Sequence, residues 1–425
     1  MKRVWMVCAV TLAIIFFVPF FLPDEAEEKS GMDVTTLHIA LWDYDMVSYD
    51  KAVIEAFETS HPNIRLEVHS FNSLYYESSL ESLLISDTAI DVIYVNQLPQ
   101  LRLLKKYDFP LPLNYYIQRD SLDMSSYLAP EVFRDPVSEQ YLGLPYRNDR
   151  FLLYYNKTLL DTLGIPYPAS PISWDAYVDY AGEVAAAMSE RGMEGKAVFL
   201  FDSPGHQMCY ALGSPFSFKE DSFELLRPGL ETFRTMQENG MSTDLTEMDR
   251  IEGMQQMFSS GDYAMMLNGN WEMNMLAKGF SGKQAAFAWG VTDIPRTDIN
   301  VPITAELWQS PLCINKHSTK VEAAWEFLKF ACGPNGGEIM AEHLVLPGYQ
   351  SPAVLNAYKE ALGKYGVDST LCLEFGAVSQ VPSSEEYALQ NDIYDLYERA
   401  LLGLDSIGES IAAMTALRDS WNSGP

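Results

Sequence analysis

TTLHIALWDYDMVSYDKAVIEAFETSHPNIRLEVHSF, residues 35 to 71, changes its hydrophobic period twice. LHIAL reads as a buried strand broken by Trp42-Asp43. The stretch after it places Val53, Ile54 and Phe57 at helical spacing and ends at His61-Pro62. IRLEVHSF then alternates like a half-buried strand. Further on, ESSLESLLISDTAIDVIYVNQ gives a helix followed by the apolar strand DVIYV. This β-α-β-α-β alternation predicts a three-layer α/β domain with a largely parallel sheet. In such sheets ligands bind outside the carboxyl ends of the strands. Trp42-Asp43 follows LHIAL and Asn96-Gln97 follows DVIYV, so both pairs are expected on one rim.

At 425 residues the chain is too long for one small core and suits two or three domains. Its 48 % apolar and 20 % charged residues are those of a globular protein rather than a disordered one. Acidic residues outnumber basic ones 58 to 29, for a formal charge of −29. Such a charge opposes phosphate backbones and anionic membranes, so nucleic acid is not an expected partner.

Lys2 and Arg3 precede VWMVCAVTLAIIFFVPFFLP, residues 4 to 23, with no charge before Asp24. The run is long enough for a bilayer, at roughly 30 Å as a helix. Basic residues ahead of it mark an export signal, so residues 1–30 are expected to be a signal or membrane anchor with a short tether. Two fates stay open: an uncleaved anchor, or cleavage within residues 24 to 31. Cys8 follows WMV rather than small residues, which argues against lipid attachment there. Cys209, Cys313, Cys332 and Cys372 are widely spaced and read mostly as unpaired core thiols. The six histidines include no H-x-x-x-H pair, so spacing indicates no metal site, and no cofactor is expected.

A second region opens at residues 141–168, where Pro145 leaves one domain and FLLYYN resumes as a strand. ISWDAYVDYAGEVAAAM is an amphipathic helix, and KAVFLF another strand. GDYAMMLNGNW, residues 261–271, is an apolar strand that stops on amides, a glycine and an indole, as a strand would that delivers its end into a cleft. FAWGVTDIP is a further strand. ELWQSPLCINKHSTKVEAAWEFLKFACGPNGG holds a strand, a turn at Lys316–Thr319 and a helix, the composition of a third sheet-plus-helix unit. The last stretch, beyond about residue 355, is largely helical by pattern, and there is no internal repeat.

In order along the chain, LHIALWDYD, AVIEAFETSHPNI, DVIYVNQ, YLGLPYRNDRFLLYYNKTLLDTLGI, SWDAYVDYA, GDYAMMLNGNW, KHSTKVEAAWEFLKFACGPNGG and LVLPGYQSP resemble an extracytoplasmic solute-binding protein. The resemblance is to the sugar- and maltodextrin-binding family (family 1) that serves ABC importers. It implies an α/β, two-lobed periplasmic-binding-protein-like fold with ligand held between the lobes. By that resemblance residues 36–146 and 306–350 form an N-terminal lobe. Residues 150–300 and 355–425 form a C-terminal lobe, with a hinge near 147–150 and 300–305. The implied partners are a carbohydrate ligand and the importer's membrane permease subunits, with the protein acting as a monomer outside the cytoplasmic membrane. Relatives often carry a Gly-Gly pair where this chain has ITAELWQSPLCI, which implies a different ligand.

Sugars offer apolar C–H faces and rims of hydroxyls, so a site for them mixes aromatic rings with carboxylates, amides and arginine. The resemblance places Trp271 on the bound sugar with Asn268 and Asn270 beside it; the alternative is an indole packed under the first turn of the next helix. The resemblance also implies that Trp42, Asp43 and Asn96 end their strands at the cleft, the alternative for Asp43 being a loop residue with only solvent contacts. Arg147, Asn148 and Asp149 sit at the crossing, where the rival reading is a structural Arg147–Asp149 ion pair. Glu306 and Trp308 occupy the variable segment, and Tyr349 follows Pro347-Gly348. Trp174, Trp289 and Trp325 are expected in the core. Competing functions are a glycoside hydrolase using Asp43, Asp45 and Glu306, a membrane-tethered sensor, and the same scaffold holding a non-sugar solute.

Overall fold

The computed structural model describes residues 34–86, 89–193, 196–200, 216–243, 258–279, 285–296, 298–300, 306–374, 377–378 and 384–423. The expected signal or anchor over residues 1–30, the second hinge stretch beyond residue 300, Cys8 and Cys209 lie outside these residues. Among the described residues no helix is long and apolar enough to cross a membrane.

The strands in chain order are β1 (Thr35–Trp42), β2 (Ile64–Phe71), β3 (Val92–Tyr94), β4 (Leu144–Asp149), β5 (Phe151–Asn156) and β6 (Lys196–Leu200). They continue with β7 (Tyr263–Gly269), β8 (Trp289–Thr292), β9 (Glu306–Ile314), β10 (Leu346–Pro347) and β11 (Ala377–Val378). A seven-stranded sheet has the order β10-β4-β9-β3-β1-β2, with β11 against the start of β9. A four-stranded sheet has the order β6-β7-β5-β8.

In the larger sheet, the helix Tyr49–Ser60 forms because Val53, Ile54 and Phe57 share a face, and it ends just ahead of Pro62. Phe57 stacks on His61 at 4.3 Å and meets Phe327 of the helix Val321–Ala331 edge-on at 5.1 Å. Those two helices cover one face of the sheet. On the other, Tyr76 opens the helix Tyr76–Ile85 and donates its hydroxyl proton towards Ala40 O (2.9 Å) and Tyr94 O (2.7 Å). One buried hydroxyl thus bridges the carboxyl ends of β1 and β3. Trp325 is fully buried and its Nε1 donates to Asp120 Oδ2 at 2.7 Å.

The smaller sheet is covered by the helices Trp174–Glu190, Arg227–Glu238, Ser384–Leu401 and Ile407–Asn422. Ser173 caps the first of them by accepting from Ala176 N at 3.2 Å, and Trp174 then meets Phe233 edge-on at 5.6 Å. Trp289 stacks on Tyr365 at 5.4 Å. All three tryptophans expected in the core are there.

A single peptide unit separates the sheets. β4 and β5 are one continuous extended run interrupted only at Arg150. Asn270, just after β7, holds that point: its N–H donates to Arg150 O (2.9 Å), its Oδ1 accepts from Arg150 N (3.2 Å), and its Nδ2 donates to Asn148 O (3.3 Å). The Arg150 side chain is anchored by Glu374 O and by Asp293 Oδ1.

Two expectations change. The sheets are mixed rather than mostly parallel: β2, β1 and β3 run parallel, but β9 is antiparallel to both β3 and β4, and β5 is antiparallel to β7 and β8. The segment from Glu306 is also not a third unit. β9 inserts between β4 and β3, with Leu312, Cys313 and Ile314 fully buried, because such an apolar run is most stable with partners on both sides. Cys313, Cys332 and Cys372 are buried free thiols.

Candidate ligand site between the two sheets

The strand directions decide what meets what. β4 is antiparallel to β9, and β9 to β3, so β4 runs the same way as β1 and β3. The carboxyl ends of β1, β3 and β4 and the amino end of β9 therefore share one rim, carrying Trp42, Asn96, Asp149 and Trp308. In the smaller sheet Phe151 at the start of β5 pairs with Gly269 at the end of β7, which puts Trp271 at that sheet's rim. Since only Arg150 lies between β4 and β5, the two rims adjoin at the crossing.

Arg147 Nε donates to Asp149 Oδ2 at 2.8 Å, and both side chains are 6 % exposed. The guanidinium lies over the Trp42 ring at 5.2 Å and near the Tyr49 ring at 5.9 Å, and Nη1 donates to the Tyr49 hydroxyl. Burial works against its charge, but Asp149, Tyr49 and Asp50 more than offset that, and Arg147 stays a cation. Burial pushes the Asp149 carboxyl above its ordinary range against the pull of Arg147. Asp149 Oδ1 is buried and has no hydrogen-bond partner among the described residues. Behind this pair, Asp50 accepts from Tyr146 Oη at 2.6 Å, and burial raises its carboxyl to about 6.

Asp149 stands opposite Trp308 in the β4–β9 register. Phe151 meets Trp308 edge-on at 5.2 Å and Trp271 edge-on at 5.7 Å. Trp271 is partly buried and packs against the cores of both sheets. A connected line thus runs from Trp42 through Arg147, Asp149, Trp308 and Phe151 to Trp271. Gly269 is required by space rather than by backbone angle: a Cβ there would lie 1.9 Å from Cζ3 of Trp271. The indole rests on the bare α-carbon.

With this geometry in view, the sequence matches the bacterial extracellular solute-binding protein family over residues 52–364, well over half the chain. The chain belongs to that family. A Brucella abortus binding protein is 22 % identical over 294 residues, 66 % of this chain and 68 % of its own length. The ABC substrate-binding protein of Listeria monocytogenes in complex with cycloalternan superposes with a TM-score of 0.75 at 17 % identity, over 92 % of this chain and 99 % of its own. Maltose-bound MalE3 of T. maritima gives 0.72 at 16 % identity, over 92 % and 99 %. As an extracellular solute-binding protein the chain is non-enzymatic, works outside the cytoplasm and takes a solute.

In this solute-binding protein the amides near the crossing are occupied by the fold. Asn148 is fully buried, its Nδ2 donating to Pro347 O (2.7 Å) and its Oδ1 accepting from Gln309 Nε2 (3.0 Å). Asn270 clamps the crossing peptide, as described. Asn268 donates to Glu272 Oε2 at 3.0 Å and accepts from Gly269 N at 2.8 Å. All three, expected as ligand contacts, here hold backbone or a neighbouring carboxyl, because a buried amide must satisfy both its ends.

Asp43 also has a local task. It sits at φ 49°, its carbonyl accepts from Met46 N at 2.8 Å, and its Oδ1 accepts from Ser73 N at 3.1 Å. Asn96 is partly buried; its N–H donates to Gln100 Oε1 and its carbonyl accepts from Ser310 Oγ. Tyr349 packs edge-on against Tyr127 at 5.3 Å, beyond β10 and away from the line of tryptophans. The Glu306 side chain lies outside the described residues, although its backbone begins β9. Tyr49 and Phe151 were missed by sequence reasoning. Phe151 had a signal in being the first apolar residue after RNDR, whereas nothing distinguished Tyr49 from other helix-start aromatics.

Proposed function

We propose that the protein captures a carbohydrate, an oligosaccharide, between the two sheets and delivers it to an ABC importer. The observation that carries this reading is the unbroken line of three indoles, one phenyl ring and one ion pair across the adjoining rims. Indole faces suit the apolar faces of pyranose rings, and Arg147 and Asp149 suit their hydroxyls. Trp42, Arg147, Asp149, Trp271 and Trp308 are the proposed contacts, with Asn148, Asn268 and Asn270 as the frame behind them. Cycloalternan and maltose in the two structural relatives support the same ligand class. The Arg147–Asp149 pair is near neutral in sum, which disfavours a polyamine despite the overall negative charge. We place residues 36–146 with 306–350 in one lobe and residues 150–300 with 355–425 in the other, hinged at 147–150. The N-terminal segment would either hold the protein at the membrane surface or be cleaved within residues 24 to 31 after export.

Thermal melting of the full chain in a non-glycosidic detergent, against a panel of oligosaccharides, sugar alcohols and polyamines, tests this. Ligand at about a hundred times Kd adds about 2.7 kcal/mol to stability. One oligosaccharide class is expected to raise Tm by several degrees. A rise only with polyamines, or none across the sugars, refutes the reading.

A further inference from the structure

Chain spacing gave no metal site, but strand register assembles one. β1 and β2 pair in parallel with His38 opposite Glu67 and Ala40 opposite His69. Side chains alternate along a strand, so His38, Glu67 and His69 fall on the same face. Nδ1 of His38 lies 3.2 Å from Nε2 of His69 and 3.6 Å from Glu67 Oε1, and the last two atoms are 3.9 Å apart. Three ligand-type atoms thus converge within 4.8 Å.

We propose that His38, Glu67 and His69 bind a divalent first-row transition ion of the zinc class, with water completing its coordination. Metal–nitrogen bonds of about 2.0–2.1 Å at a tetrahedral angle put two ligand atoms roughly 3.3–3.4 Å apart. The imidazole pair is already at that separation. Glu67 needs to approach by only a few tenths of an ångström, and its side chain is 58 % exposed and free to do so. The two imidazoles are 29 % and 28 % exposed, which leaves room for water at the open position. His38 is held by its backbone, since its N–H donates to Asp91 Oδ2 and its carbonyl accepts from Asp91 N, both at 2.8 Å. A cation at this point would accept a lone pair from each of the two imidazole nitrogens and from the Glu67 carboxylate.

Two imidazoles and one carboxylate select zinc, cobalt, nickel or copper over calcium and magnesium. The ion would clip edge strand β2 to β1, roughly 7–13 Å along the strand from Trp42, since His69 lies level with Ala40 and His38 two residues further back. The site is therefore independent of the proposed sugar contacts.

Titration of Co²⁺ and Zn²⁺ into the untagged, metal-stripped full chain in detergent tests the proposal. One equivalent of Zn²⁺ is expected to bind and raise Tm, while Ca²⁺ and Mg²⁺ do neither. His38→Gln and His69→Gln are each expected to weaken Zn²⁺ binding at least tenfold, and the surface change Glu67→Gln to weaken it without altering the metal-free Tm. Co²⁺ absorption bands of a nitrogen- and oxygen-ligated tetrahedral or five-coordinate ion provide a readout that needs no variant. Absence of binding by the unaltered chain, or equal Zn²⁺ affinity in the His38→Gln/His69→Gln chain, overturns the proposal.

Discussion

Replacing Glu272 by glutamine is expected to change how stability depends on pH. Glu272 opens the helix Glu272–Lys278 directly after Trp271 and is 2 % exposed. Among the described residues Asn268 Nδ2 is its hydrogen-bond partner, 3.0 Å from Oε2. Burial, partly offset by that hydrogen bond, pushes the carboxyl up to about 8 from 4.5. The folded state therefore holds the proton more tightly than the unfolded chain. The stability this group contributes is complete below about pH 4.5 and is lost as pH rises through about 8. At 1.36 kcal/mol per pKa unit the full loss is about 5 kcal/mol, most of it between pH 5 and 8. Glutamine keeps an acceptor for Asn268 and cannot ionise. Urea unfolding followed by circular dichroism should find Glu272→Gln near the unaltered protein at pH 5 and more stable at pH 8 by about 4 kcal/mol. Asp50, also raised by burial, acts in the same direction in both proteins and cancels in the difference. If the two proteins differ by the same amount at pH 5 and pH 8, Glu272 is ionised in the fold and the reasoning fails.

Gly269→Ala puts a methyl group into the Trp271 indole, with 1.9 Å to Cζ3, so the ring must leave its position. Unfolding should show a loss of about 1–3 kcal/mol, and calorimetry at least a tenfold loss of sugar affinity. Tyr76→Phe removes the hydroxyl shared by Ala40 O and Tyr94 O and should cost about 1–3 kcal/mol in urea unfolding, with sugar affinity weakened less than in Gly269→Ala.

Local periodicity made most elements legible. Val53, Ile54 and Phe57 define a helix face, and FLLYYN and YAMMLNG are strands as read. The rim position of Trp42 followed from the end of LHIAL. What could not be read depends on partners far along the chain. Asn270 looked like a ligand amide because its partners, Asn148 and Arg150, lie some 120 residues earlier. β9 looked like a new unit because nothing in its own residues says that β3 and β4 flank it. In the sequence Gly269 is only part of the polar end of its strand, whereas the requirement for glycine comes from the indole two residues later. His38 and His69 are 31 residues apart, and only the register of β1 on β2 brings them together.

Tryptophan emission during titration with the best sugar from the melting panel tests the central claim most directly. The unaltered chain should give a saturating change. The Trp271→Phe/Trp308→Phe chain, melting within a few degrees of it, should lose most of that signal and at least tenfold in affinity. An equal signal at equal affinity in that variant would mean the sugar binds elsewhere, and the account would be wrong.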